Sequence, residues 1–152
     1  MQIKYIVLLA CTILVFITIT GCDELEDKPD YKNVEVMTIA KVTTSDQTIQ
    51  IPDMEIRLEI IKSGAVKKTS YVTTNPNGAS AIVTHTVKLY KEQNVQVVGN
   101  LLSTLPQAYL DQGYTVYTYK SQTLNWQTVD QAVDWGEKYL WTPDICFTVS
   151  TS

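Results

Sequence analysis

The sequence predicts a mainly β fold: a single antiparallel β-sandwich of about seven or eight short strands with one short helix near the C-terminus. Two observations carry this expectation. From Val34 onward, apolar residues recur with period two rather than 3.6, the mark of half-buried strands. Turn-forming residues then separate these alternating runs at short intervals.

Residues 34–42 form the first expected strand. The clearest is 54–60, where Met54, Ile56, Leu58 and Ile60 alternate with Glu55, Arg57 and Glu59 and so give one apolar and one charged face. After a turn at Ser63-Gly64, residues 65–74 continue the pattern with β-branched residues and Tyr71. Asn75-Pro76-Asn77-Gly78 supplies turn chemistry, since proline fixes φ and Asn-Gly tolerates positive φ. A strand over 79–90 is expected to pair back across that turn. Residues 95–98, 114–119, 123–126 and 145–149 complete the set.

Two segments depart from the alternation. Residues 101–112 carry Leu101, Leu102, Leu105, Tyr109 and Leu110, but Pro106 forbids a continuous helix, so a loop with one helical turn is expected. Residues 128–140 are the expected helix: Thr128 can cap, Asp130 lies in the first turn, and Val129, Ala132, Val133 and Leu140 can share one face. Gly136 weakens its second half.

The first twenty-two residues are chemically unlike the rest. One lysine, Lys4, precedes an uncharged run from Tyr5 to Ile19 rich in Ile, Leu and Val, shorter than the roughly 20 residues a membrane span needs and suited to a signal peptide. The run closes on Ile19-Thr20-Gly21-Cys22, and this segment resembles a bacterial lipoprotein signal. The resemblance implies cleavage before Cys22 after its thiol has received diacylglycerol, so that 1–21 is the signal and Cys22 the lipidation site. Two or three acyl chains anchor stably where one does not. The protein is then held on the extracytoplasmic face of a cell membrane or envelope. Asp23, next to the cysteine, implies retention at the inner membrane in an envelope with two membranes.

Residues 22–33 read as an acidic tether, with Asp23, Glu24, Glu26, Asp27 and Asp30 against Lys28 and Lys32, and 34–152 as the β-sandwich domain. The tether lacks the alternating oxygen ligands and central glycine of a calcium loop, so no metal is expected there. With formal net charge −4 and no stripe of basic residues, nucleic acid is not an expected partner. Cys11 leaves with the signal and Cys22 takes lipid, so Cys146 has no partner for an intrachain disulfide; its apolar strand setting suits a small buried side chain.

No catalytic constellation stands out, and no cofactor is expected. His85 is the single histidine, which excludes multi-histidine metal centres; on a strand with Ala81, Val83 and Val87 it reads as a partly buried core residue. There is no nucleophile elbow and no phosphate-binding glycine loop. A pair of carboxylates doing hydrolase chemistry is the remaining enzymatic reading, a distant third.

The order Ile51-Pro52-Asp53-Met54-Glu55-Ile56-Arg57-Leu58, then Thr73-Thr74-Asn75-Pro76-Asn77-Gly78-Ala79, then Val95-Gln96-Val97-Val98 resembles the carboxypeptidase-regulatory or transthyretin-like fold and bacterial Ig-like repeats. That resemblance implies a non-catalytic spacer, adhesive module or binding unit. The last third of the chain concentrates aromatic residues, and Tyr114, Tyr117, Tyr119, Trp135 and Trp141 are the candidate binding residues, because flat rings with a polar edge suit protein interfaces and sugar rings. The expected function is a membrane-anchored binding or adhesive module for a protein or glycan. The alternative is a structural spacer or subunit of an envelope assembly with no soluble ligand.

Overall fold

A strand buries every second side chain, and the inward positions here are almost uniformly apolar. The computed structural model describes residues 31–151. Among them the strands are β1 Tyr31–Thr44, β2 Glu55–Lys62, β3 Ala65–Thr73, β4 Val83–Tyr90, β5 Asn94–Leu101, β6 Tyr114–Val116, β7 Tyr119–Asn125, β8 Lys138–Trp141 and β9 Asp144–Thr151. Two short helices, α1 Gln107–Leu110 and α2 Trp126–Ala132, lie between them. The cleavage motif and Cys22 lie outside the described residues, and no described helix is long and apolar enough to cross a membrane.

The strands form two sheets, as the period-two pattern predicts. One has the order β4-β1-β9-β6, with β8 also paired to β1; the other is β3-β2-β5-β7. β1 runs the length of the first sheet and serves several neighbours. Its first half pairs antiparallel with β4 on one side and parallel with β8 on the other, while its second half pairs parallel with β9. These parallel pairings depart from the purely antiparallel expectation. The chain leaves this sheet after β6, passes through β7 of the other sheet and α2, and returns as β8 and β9, which run in the direction of β1.

Inward residues of both sheets meet in one core: Val34, Val36 and Val42 from β1, Ile56, Leu58 and Ile60 from β2, Val95 and Val97 from β5, and Ile145, Phe147 and Val149 from β9. Gly99 sets how closely the sheets approach. A Cβ there would stand 2.4 Å from Ile145 Cγ2 and 3.1 Å from Phe147 Cζ, so even alanine would overpack the centre.

The turn at Asn75–Gly78 forms, but it does not make a hairpin. Gly78 takes φ +65° and its amide donates to the Asn75 carbonyl at 2.8 Å. β3 pairs with β2, however, and β4 with β1, so the chain crosses there from one sheet to the other. The open half of β1 captures the turn: the Val42 amide donates to the Gly78 carbonyl, the Ser80 amide to the Ala40 carbonyl, and the Ala40 amide to Ser80 Oγ. Those main-chain groups of β1 would otherwise lack partners.

Three other expectations are corrected. The strand over 114–119 breaks at Tyr117, which separates β6 in one sheet from β7 in the other. The helix over 128–140 is confined to Trp126–Ala132, with Asn125 rather than Thr128 at its N-cap. Gly136, at φ +83°, turns the chain so that Leu140 sits on β8 and is exposed. Finally, residues 31–33, read as the end of the tether, are the first residues of β1.

Candidate functional site

Cross-strand register decides which outward side chains become neighbours. On the outer face of the four-stranded sheet, Tyr71 of β3 stands opposite Arg57 of β2, Arg57 opposite Asn100 of β5, and Asn100 opposite Tyr119 of β7. Four side chains thus form one line across all four strands. At the ordinary strand spacing the two tyrosines are about 14 Å apart, with a guanidinium and an amide between them. Tyr71 is 64% and Tyr119 55% exposed, and Tyr117, just before β7, is 79% exposed.

Arg57 is the polar centre of this line. Its Nε lies 3.7 Å from Glu59 Oε1, is shielded from solvent and makes no hydrogen bond within the protein. A shielded donor without an acceptor is uncommon and costs free energy unless an acceptor arrives. The rings at either end offer flat apolar faces, and the middle offers donors and an amide. Such a surface can stack on planar or sugar rings and hydrogen-bond between them.

The five aromatic residues singled out from the sequence do not share one surface. Tyr119 ends the line just described, and Tyr117, two residues before it, is also exposed. Tyr114 packs against the core edge-on to Tyr109, with ring centres 6.0 Å apart, and Trp141 on β8 is half-buried against the core. Trp135 lies at the other end of the sandwich, against Trp126, with ring centres 5.7 Å apart. Tyr71, Arg57 and Asn100 join Tyr119 although sequence reasoning did not group them. The available signal was alternation, which puts Arg57 on the polar face of β2; register across strands was the missing link.

Trp126 and Trp135 enclose a buried lysine. Lys32 Nζ is 5.6 Å and 5.3 Å from the two ring centres, pairs with Asp130 Oδ1 at 2.8 Å, and donates to the Asp130 carbonyl at 3.0 Å and to the Val133 carbonyl. α2 has no basic residue in its last turn, and Lys32 brings the cation to those carbonyls from β1. Every donor of this lysine therefore has a nearby acceptor, and the cluster reads as a fastening between β1 and α2.

The remaining titratable groups are dispersed. Among the described residues, no three His, Cys, Asp or Glu side chains come together as a metal site would require. Asp46 accepts from the Thr44 hydroxyl and from the Thr48 amide and hydroxyl, and these bonds hold its carboxyl below the usual range. It borders a shallow cavity of about 220 Å³ also lined by Tyr114 and Val149. His85 is half-buried, and burial followed by the charge of Lys68 lowers its pKa. Cys146 is a half-buried free thiol on β9. No protein-family model and no curated protein matches the chain.

Proposed function

We propose that the protein is a non-catalytic binding or adhesive module, anchored to the extracytoplasmic face of a membrane through lipid on Cys22, and that it takes a protein or glycan ligand on the outer face of its four-stranded sheet. The lipid anchor is supported by the signal-like run ending in Ile19-Thr20-Gly21-Cys22. The binding role is supported above all by the Tyr71–Arg57–Asn100–Tyr119 line, with two exposed rings flanking a guanidinium whose Nε is ion-paired with Glu59 but makes no hydrogen bond within the protein. Exposed aromatics and arginine dominate binding energy where they occur at interfaces.

Two measurements test this reading. Intact mass of the protein recovered from its native membrane should show a chain that begins at Cys22 with added acyl mass; an unmodified chain removes the anchor. Arrays of glycans and of envelope-protein peptides should yield a ligand whose affinity falls at least about tenfold with Tyr119→Ala or Tyr71→Ala, as loss of a central aromatic contact requires. Binding that is unchanged in both variants removes the site.

A second reading has its own support. Among the described residues β7 ends its sheet and pairs with β5 alone, and it is exposed along most of its length. An open, weakly charged edge of this kind suits pairing with another chain, as a subunit of an envelope assembly would. Thr123→Pro would block such pairing, and an assembly that survives it counts against this alternative.

A further inference from the structure

Basic residues are not spread evenly over the described surface. Lys62 ends β2, Lys67 and Lys68 lie on β3, and Lys88 and Lys91 lie on and just after β4; β3 and β4 are end strands of their sheets, and Tyr31, the first residue of β1, pairs with Tyr90 at the end of β4. Contacts tie Lys62, Lys68 and Lys88 to this flank. Lys68 Nζ donates to the Thr84 carbonyl at 3.2 Å, which links the two strands. Lys62 Nζ sits 4.7 Å from the ring centre of Tyr90, Lys88 Nζ sits 4.2 Å from that of Tyr31, and the two rings are 5.7 Å apart. The ammonium of Lys62 loses protons more readily than usual because it is partly buried and stands near Lys67.

None of these five lysines makes an ion pair among the described residues, where the ion pairs engage Lys32, Lys41, Arg57 and Lys138. Glu92, in the turn after Lys91, is the acid nearest in sequence to that end of β4. A chain of formal charge −4 thus carries a concentrated positive flank, backed by two tyrosines.

We propose that this lysine and tyrosine flank docks on an anionic phospholipid surface. The inference rests on the lipid-anchor reading, which fixes where the membrane is. Tyr31 follows Cys22 by nine residues, so this edge of the flank lies at most about 30 Å from the anchoring lipid however the intervening chain runs. Tethering at that distance keeps the lysines at high local concentration near the headgroups. Lysines are attracted to an anionic leaflet within about a screening length, and tyrosine rings favour the headgroup level. Docking would orient the sandwich with β1's first residue toward the bilayer and the Tyr71–Tyr119 line toward the other end.

The test uses the full chain in vesicles of phosphatidylcholine alone or mixed with phosphatidylglycerol. Lysines are labelled with an amine-reactive reagent and read by mass spectrometry. The flank lysines should label about fivefold or more slowly in the anionic vesicles. Protection should vanish at about 1 M salt, where screening shortens to about 3 Å, and Lys41 and Lys120 should not change. The double variant Lys67→Glu with Lys91→Glu should lose protection at Lys62 and Lys88. Equal labelling in both vesicle types overturns the proposal. So does protection that is already present in neutral vesicles, which would assign the flank to the acidic residues 23–30 instead. Alkaline washing reports the anchor separately: a chain that washes off has lost the anchor reading, and its flank then stands or falls on whether it floats with anionic vesicles alone.

Discussion

Lys32 and Arg57 are both cations set beside aromatic rings, and their surroundings are opposite. Lys32 is enclosed by Trp126 and Trp135, paired with Asp130, and bonded to two carbonyls at the end of α2. Arg57 lies between exposed Tyr71 and Tyr119, with Glu59 no closer than 3.7 Å to its Nε, which is shielded and makes no hydrogen bond. The first arrangement spends its hydrogen-bonding capacity inside the fold, and the second leaves part of it unspent. A cation and two rings are thus not enough to mark a binding site; what distinguishes one is an unmet donor next to accessible ring faces.

The contrast breaks if substitutions at the two clusters behave alike. Trp126→Ala should have the largest effect, a loss of about 3–5 kcal/mol in urea unfolding, because it empties a buried volume and strips the cover from Lys32. Lys32→Ala should follow at about 2–3 kcal/mol, since two carbonyls at the end of α2 lose their donor while the more exposed Asp130 is rehydrated. Gly99→Ala, at the centre of the core, should cost about 1–3 kcal/mol by forcing Ile145 aside. Arg57→Ala and Tyr119→Ala should stay within about 0.5 kcal/mol, as surface changes do. A destabilisation at Arg57 as large as at Lys32 would mean that the open line is a structural element after all.

Much of this organisation was legible in the sequence, and the reason differs by element. The alternation of Met54, Ile56, Leu58 and Ile60 fixed both the existence of β2 and its buried face, and Pro106 correctly limited α1 to a single turn. Local pattern could not reveal where Asn75–Gly78 sends the chain, because the same turn serves a hairpin or a crossing between sheets. Lys32 looked like part of a charged tether, since its partners lie almost a hundred residues away on α2. The Tyr71–Arg57–Asn100–Tyr119 line depends on three separate strand registers, none of which any single segment encodes. The cluster of aromatics in the last third was visible as composition, yet the fold divides it between a half-buried set and an exposed one.

The smallest expected effect concerns pH. His85 lies on β4 opposite Val36, with the Lys68 ammonium nearby on β3, and both burial and that charge oppose its protonation in the folded state. Its folded pKa is therefore below the ordinary value of about 6.5, and the unfolded chain binds the extra proton first. Stability should be fully present above about pH 6.5 and decline as pH falls from there toward the folded pKa. His85→Gln should flatten that part of the profile, and Lys68→Gln should flatten it in part by removing the repulsion while leaving the burial. Urea midpoints measured between about pH 5 and pH 7.5 decide it: a slope that persists in His85→Gln overturns the assignment, because Asp46, whose lowered pKa gives a loss with the same sign, contributes only at more acidic pH.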